Sequence, residues 1–275
     1  MVLSINGLGS QLALNLIDST KDRQLQTLRN EPAHARAEAA FRERIGSITT
    51  PEELIKDYEV YSFVMNAFDL EDQIFGKGMM RKILESDPSD ETALVNRLTD
   101  GRFGEIHASL AFVTSSGPQV PNFSDTSWQD AIVDRYYNRV FINENDAQNE
   151  TVGTVLHFRE EVGEIDNWFD VLKDPDLAEF FRVALNLPEE MAAVDVDMQK
   201  RELERRYDLS KLSDPAEQER LMARYVAISD VLNPPQWAAS SMALSVLQNV
   251  SLGGQFVPAT INLPTISYSA ASLYR

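Results

Sequence analysis

The residue types that could perform chemistry are few, apart from the carboxylates. The chain has no cysteine, which excludes a thiolate nucleophile, a thiolate zinc site, an iron–sulfur cluster and a disulfide framework. Its three histidines, His34, His107 and His157, are far apart in sequence. Glu31 and His34 have the Glu-x-x-His spacing, but Pro32 separates them and no second such pair exists. We therefore predict a solvated helix-surface His34, and His107 and His157 satisfied in the core or at its boundary.

The acidic residues are numerous, so pairs of carboxylates occur by chance. Asp195 and Asp197 lack the glycine and terminal glutamate of a calcium loop. A run of aspartates, of which Asp174 is predicted to cap a helix, includes Asp166, Asp170, Asp174 and Asp176. A glycosidase-like acid–base pair stays an alternative that no spacing singles out. The sequence predicts no catalytic residue, no cofactor-binding residue, no metal ligand and no cofactor.

Glycine-rich and basic segments also lack a complete binding motif. Gly76–Gly78 has no further glycines and no Ser or Thr of a phosphate loop. Gly7–Gly9 is only a Gly-x-Gly, which favours a turn before a helix over a dinucleotide site. The basic residues of Lys200–Arg206 alternate with glutamates, so we predict a solvated helix face crossed by ion pairs.

The net charge of −18 is unevenly distributed along the 275 residues. Residues 1–20 contain one charged side chain, Asp18, and residues 234–275 contain only Arg275, so residues 21–233 carry the whole surplus. This acidic body argues against nucleic acid and anionic lipid as partners. No apolar run is long enough for a membrane span, and no cleavable signal is evident. We predict no membrane insertion, and a protein that is cytoplasmic or exported without a cleaved signal peptide.

The two nearly uncharged ends are candidate contact surfaces. Leu8, Leu12 and Leu16 are spaced four residues apart, with Ile5 and Ile17 nearby, which predicts an amphipathic N-terminal helix whose apolar face contains them. Residues 236–250 predict a small-residue helix, and the prolines at 258 and 264 favour an extended tail after it. Each end could be buried against the body of the chain or against a partner.

An internal repeat is the most specific pattern in the sequence. Residues 41–72 align without a gap on residues 158–189, at a spacing of 117, with ten identities over 32 positions. Both copies predict a helix capped by an aspartate, Asp57 and Asp174, with Pro175 at the first position of the second helix. Their predicted buried faces are Val60, Phe63, Val64, Ala67 and Phe68 in the first copy and Leu177, Phe180, Phe181, Ala184 and Leu185 in the second.

Proline-containing caps predict further helix starts. Thr50–Glu53 predicts a capping box. Asp214 with Pro215 predicts a similar start, and Asp87 before a proline predicts a helix that carries Leu94 and Leu98. No segment shows the alternation of an exposed sheet.

These elements predict an all-α protein of about ten helices in two related halves with an extended low-charge C-terminal tail. Residues 1–113 form the first helical repeat with the N-terminal helix, and 114–127 form a linker rich in Gly, Pro and Ser. Residues 128–233 form the second repeat, and 234–275 form an uncharged helix and a Pro-containing tail. The sequence leaves open whether the halves form one domain and which oligomer the protein adopts.

The repeated segments resemble the bacterial domain of unknown function 1217, a family of all-α proteins often found with two copies. Its motif of a helix end followed by a basic helix matches Ala67–Glu71 and Arg81–Glu85, and its second turn matches Leu185–Pro188. The family usually has glycine where this chain has Asp69 and Asn186, the next-best residues for a left-handed helix end. The resemblance implies association with the flagellum in alphaproteobacteria and carries no catalytic residue.

The favoured functional hypothesis is a non-catalytic helical interaction or structural protein associated with the bacterial flagellum, with flagellar proteins as possible partners. One alternative is a cytoplasmic export chaperone or regulator that binds a partner helix through an acidic groove. A second alternative is a hydrolase that uses two carboxylates in an apolar cleft.

Overall fold

Several helices begin at the capping residues that the sequence predicts. Thr50 forms the predicted capping box with Glu53, and Asp57 and Asp174 accept hydrogen bonds from the first backbone N–H groups of the helices that follow them. Asp214 caps the last described helix in the same way. The prediction for Asp87 is wrong: its carboxylate binds Ser89 in a turn.

A computed structural model of the chain describes residues 2–233, which belong to one compact unit. Within that range the first seven helices are α1 (Ser10–Asn30), α2 (Pro32–Arg44), α3 (Pro51–Lys56), α4 (Tyr58–Ala67), α5 (Lys77–Leu84), α6 (Leu94–Arg97) and α7 (Gly101–Leu110). After the strands β1 (Val113–Thr114) and β2 (Gly117–Pro118) come α8 (Thr126–Asp146), α9 (Glu150–Glu161), α10 (Trp168–Lys173), α11 (Pro175–Ala184), α12 (Val196–Arg206) and α13 (Pro215–Leu232). The fold is all-α, as predicted, with more helices in this range than the predicted ten.

Helices recur at the spacing of the sequence repeat. The bounds of α3 and α4 plus 117 are the bounds of α10 and α11. The turns after α4 and α11 both contain a left-handed residue, Asp69 with φ 55° and Asn186 with φ 54°. Short polar side chains tolerate this conformation better than most residues, which explains why glycine is not required. A common origin by duplication stays a prediction.

The two halves also pack their aromatic residues alike. Phe41 stacks on Phe63 at 4.6 Å between ring centroids, and Phe63 stacks on Tyr136 of α8 at 4.1 Å. In the second half Phe158 stacks on Phe180 at 4.1 Å, and Phe180 lies 4.9 Å from Tyr225 of α13. Both predicted helix faces are buried. Hence the aromatic stack of the first half ends on α8, and that of the second half ends on α13.

The long helix α8 joins the halves, because it packs against both α4 and α9. Helix α1 lies against α8, α9 and α13 and is part of the same core. Its buried apolar residues are Ala13, Leu14, Ile17 and Leu28, whereas Leu12 is 59% exposed. The predicted helix and the predicted burial of Ile17 are confirmed. The prediction for Leu12 is wrong, since leucines four apart drift around a helix of 3.6 residues per turn.

The predicted linker contains a small structured element. Val113 pairs with Pro118 and Thr114 with Gly117, in an antiparallel hairpin that the sequence analysis did not predict. No helix among residues 2–233 has the length and apolar character required to cross a bilayer. The predicted helix over 236–250 and the tail after it lie outside the described residues.

Candidate functional site

The structure brings together three side chains from three helices at the centre of the molecule. Arg139 of α8 is 4% exposed, and its Nη1 lies 3.0 Å from Nδ1 of His157 on α9. The other ring nitrogen, Nε2, lies 2.6 Å from Oδ2 of Asp174, the residue that caps α11. Because a guanidinium can only donate, Nδ1 accepts from Arg139 and Nε2 donates to Asp174.

This arrangement makes His157 a poor metal ligand. Ligand atoms of His157 lie within 4.8 Å of those of Glu160 and Glu161, and also of those of Asp174 and Asp176. A histidine binds a metal through a free ring lone pair, but the lone pair on Nδ1 is engaged by Arg139 and Nε2 carries the proton donated to Asp174. The donor set therefore fits a hydrogen-bonded network better than a metal centre.

Carboxylates surround the Arg139 guanidinium. Its Nη2 lies 3.1 Å from Glu160 and 3.6 Å from Glu161, and its Nη1 lies 3.9 Å from Asp69. A buried arginine requires such partners, because an unpaired charge in the interior is strongly unfavourable. The left-handed turn after α4 thus supplies one carboxylate to a network that otherwise lies in α8, α9 and the start of α11.

The carboxylates of the network differ in pKa. Burial acts to raise the pKa of Asp174, but the hydrogen bond and charge of His157 prevail and lower it below its usual value. Burial raises the pKa of Asp176 and of Glu161, and neighbouring carboxylates raise both further.

The pKa of His157 is set by two opposing effects. Burial lowers this pKa, whereas the hydrogen bond to Asp174 raises it, and the result is a pKa above the usual value. Protonation at Nδ1 would bring two donors face to face, so it requires Arg139 to withdraw toward Glu160 and Glu161.

Beside this network a cleft of about 660 Å³ opens between the two halves. It is lined by Gly101, Gly104, Glu105 and Ala108 of α7, Arg135 of α8, Glu160 and Glu161 of α9, Glu164 and Ile165 after it, Asp170 and Lys173 of α10, and Asp174 and Leu177 at the start of α11. The residues on α7 are small or acidic, and those on α10 and α11 mix apolar and charged types.

The cleft is strongly acidic. Its lining contains six carboxylates and two cationic side chains, a surplus of four negative charges. Arg135 pairs with Glu105, and Lys173 lies 3.8 Å from Asp170. Glu164 is exposed at the edge. The pKa of Glu161 is raised, first by burial and then by the nearby charge of Glu105.

Part of the cleft lining is apolar. Ala108, Ile165 and Leu177 contribute hydrocarbon surface, and Gly101 and Gly104 add no side chain to the α7 wall. A Cβ atom at Gly104 would meet no heavy atom within 4 Å. The space above α7 is therefore open, and the arrangement suits a ligand with an apolar stem and a cationic end.

The predicted histidine environments are mostly confirmed. His107 is 4% exposed and its Nε2 lies 2.9 Å from the backbone oxygen of Ser86. His157 is a satisfied boundary histidine. The prediction for His34 is wrong, because its side chain is only 19% exposed and its Nδ1 lies 2.8 Å from the Tyr136 hydroxyl. Burial against α8 lowers the pKa of His34.

The remaining predicted segments have structural roles. Glu202 binds both Arg205 and Arg206, as predicted for an ion-paired face. Asp195 caps α12, and Gly7 adopts φ 82° in the turn before α1.

Sequence reasoning missed Arg139, the centre of the network. It follows Ile132 and Tyr136 along the buried face of α8. A charged residue at an apolar position of a helix is the one sequence feature that could have identified it.

Comparisons with known proteins agree with this fold. A crystal structure of a protein from Agrobacterium tumefaciens, a target of the Northeast Structural Genomics Consortium, is similar with a TM-score of 0.73 and 27% sequence identity. The similarity covers 85% of this chain and 98% of that chain. A comparison with curated proteins finds no match. The family model described as "Protein of unknown function (DUF1217)" matches residues 67–217. The resemblance inferred from the sequence is therefore confirmed, and the chain belongs to the DUF1217 family.

Proposed function

We propose that the protein is a non-catalytic helical interaction protein whose acidic cleft binds a basic, amphipathic segment of a partner protein. The observation that carries the proposal is the cleft lining, which combines six carboxylates and two cations with apolar residues. Lysine and arginine side chains match it, because their hydrocarbon stems cover apolar surface while their charged ends reach carboxylates.

The resemblance to flagellum-associated proteins supplies the cellular setting of this proposal. A partner bound at the cleft would be a flagellar component or a protein exported to the flagellum. Deleting the gene is expected to impair swimming, and a strain that swims normally with normal filaments would contradict the flagellar role. Fractionation into cytosol, basal bodies and medium distinguishes a structural component from an export chaperone or regulator.

Binding at the cleft can be tested with a fluorescein-labelled synthetic peptide of leucine and lysine designed as an amphipathic helix. Fluorescence anisotropy should report binding that weakens as salt rises. Glu164→Lys, at the exposed edge of the cleft, should weaken binding by roughly tenfold, since reversing a nearby charge changes the interaction by about 1–2 kcal/mol. Glu219→Lys, at an exposed position of α13, changes the net charge equally and serves as the matched control. Equal affinities of both variants and the wild type would reject the cleft as the binding surface.

A carboxylate hydrolase is the second candidate, because Glu161 has a raised pKa and Asp174 a lowered one beside the same cleft. Three hydrogen bonds oppose it. Oδ1 of Asp174 accepts from the N–H groups of Asp176 and Leu177, and Oδ2 accepts from His157. These bonds occupy both oxygens of Asp174 and hold the carboxylate as a helix cap. Hydrolysis of chromogenic glycosides that is abolished by Glu161→Gln would support the hydrolase and contradict the binding role.

A further inference from the structure

A second concave surface lies in the second half, away from the acidic cleft. This groove, the α11 groove, has a volume of about 260 Å³ and runs beside α11 toward α12. Its lining is mostly apolar and includes Leu172, Ala178, Leu187 and Leu203. Ala178 and Leu172 are partly exposed in it, so this hydrocarbon surface is open to water.

At the corresponding position the first half carries a larger, buried side chain. At the spacing of 117 residues Leu172 and Leu187 correspond to Ile55 and Leu70, and Ala178 corresponds to Tyr61. The Tyr61 side chain is 1% exposed, and its ring belongs to the core. The second half therefore has a methyl group where the first half has a buried aromatic ring. The first half thus shows which side chain suits this place, namely an aromatic one.

The same molecule also has an aromatic side chain that is not buried in the core. Phe75, between the turn after α4 and the start of α5, is 89% exposed, more than any other large apolar side chain in the described part of the chain. This high exposure means that Phe75 does not occupy the α11 groove of its own chain. Leaving a whole phenylalanine ring in water is unfavourable, and burying it is a strong driving force for association.

We propose that the α11 groove of one copy of the chain receives the Phe75 ring of a second copy. Phe75 lies in the first half and the groove in the second, so the contact joins different surfaces of the two copies. Such a head-to-tail contact leaves one free ring and one free groove at the ends and can continue to a third copy. This inference goes beyond the binding of a basic segment and does not depend on it.

The charge of the protein predicts how this association responds to salt. Each copy carries −18, so two copies repel each other. Salt screens the repulsion and leaves the apolar contact intact. Self-association should therefore strengthen as salt rises, whereas binding of a basic peptide at the acidic cleft should weaken. The opposite salt dependence separates the failure of one proposal from the failure of the other.

Sedimentation velocity of the full chain tests the proposal. The protein concentration should range from about 1 µM to about 1 mM, because a small interface gives weak association. The wild type should form dimers and larger species as concentration rises. Phe75→Ser should weaken this association at least tenfold, and so should Ala178→Tyr, which restores the residue of the first half. Leu12→Ser removes another exposed apolar side chain, on α1, and should associate like the wild type.

Mixing the two blocked variants gives the decisive result. Phe75→Ser retains the groove and Ala178→Tyr retains the ring, so the mixture should form a one-to-one heterodimer that does not grow further. A wild type that stays monomeric over the whole range at high salt would overturn the proposal. The proposal would also be overturned if Phe75→Ser associates over the same concentration range as the wild type. This variant changes only an exposed side chain, so it should fold normally.

Discussion

The Nε2 atom of His157 lies 2.6 Å from Oδ2 of Asp174, and this hydrogen bond ties α9 to the cap of α11. In the first half the corresponding cap, Asp57, lies 3.2 Å from Nε of Arg44 instead. In each half a nitrogen atom lies near the capping aspartate, as a hydrogen-bond donor in the second half and as an ion-pair partner in the first, and the two come from different positions. His157 in turn contacts Arg139, so the second cap belongs to a network that reaches α8.

The two caps should therefore differ in their contribution to stability. Asp174→Ala removes a helix cap and leaves the buried His157 donor unpaired, so we expect the free energy of unfolding to fall by about 3 kcal/mol. Asp57→Ala removes a cap of similar exposure whose partner Arg44 reaches solvent, so we expect a loss of about 1 kcal/mol. Urea denaturation of both variants measures the difference. Equal losses would mean that the His157 contact adds nothing.

The effect of Asp174 should also depend on pH. The lowered pKa of Asp174 means that its carboxylate stabilises the folded chain at pH values above its pKa in the unfolded chain. This contribution is lost as the pH falls through the pKa of the folded state. The same hydrogen bond raises the pKa of His157, so protonation of His157 adds stability to the wild type as the pH falls through that pKa. The stability difference between the wild type and Asp174→Ala should therefore be largest in mild acid, between the pKa values of the two groups, and shrink at lower pH. A difference that falls steadily from neutral pH would contradict this account.

Asp146 is expected to destabilise the protein at neutral pH. Burial and the nearby Asp176 and Glu150 raise the pKa of Asp146 from 3.8 to about 6. Its ionised form is therefore unfavourable in the folded state above about pH 6, and this cost is relieved as the pH falls toward 4. We expect Asp146→Asn to raise the free energy of unfolding at pH 7.5 by about 1 kcal/mol, a value reduced for the exposure of the side chain to solvent. The gain should vanish near pH 4, which denaturation at both pH values would measure.

Gly153 allows α8 and α9 to approach closely. A Cβ atom at this position would overlap the side chain of Asp146, including its own Cβ, so α8 and α9 would have to move apart. We expect Gly153→Ala to cost about 2 kcal/mol of stability. Gly104→Ala is the matched control inside α7, where the added methyl group meets nothing within 4 Å and should stabilise the helix by about 0.5–1 kcal/mol. Opposite shifts in melting temperature are the expected result.

The two halves should unfold together, because α8 packs against both. Phe63 and Phe180 occupy corresponding places in the two aromatic stacks, and each is buried. Phe63→Ala and Phe180→Ala should each cost about 3–5 kcal/mol. Each should lower the melting temperature of one common transition, which calorimetry would record. Two separate transitions, each sensitive to one substitution, would show that the halves are independent units.

The sequence could predict the local structure of this protein because that structure depends on near neighbours along the chain. A cap such as Thr50 or Asp174 acts on backbone groups two or three residues away, so its residue type and position are sufficient evidence. The same holds for the buried faces of α4 and α11, whose period follows from helix geometry. These local rules predicted the all-α class and the register of the repeated helices.

The sequence could not predict which polar residues meet. Arg139, His157 and Asp174 lie on three helices, and their contact depends on how α8, α9 and α11 pack. His34 appeared solvated for the same reason, since Tyr136 that partly covers it lies 102 positions further along the chain.

The sequence by itself determined the helices, their caps and the acidic character of the body. Only the tertiary structure decided which carboxylates line the acidic cleft and which apolar residues line the α11 groove. The physical reason is that a helix is specified by contacts within four residues, whereas a concave surface forms only where separate helices fail to fill the space between them.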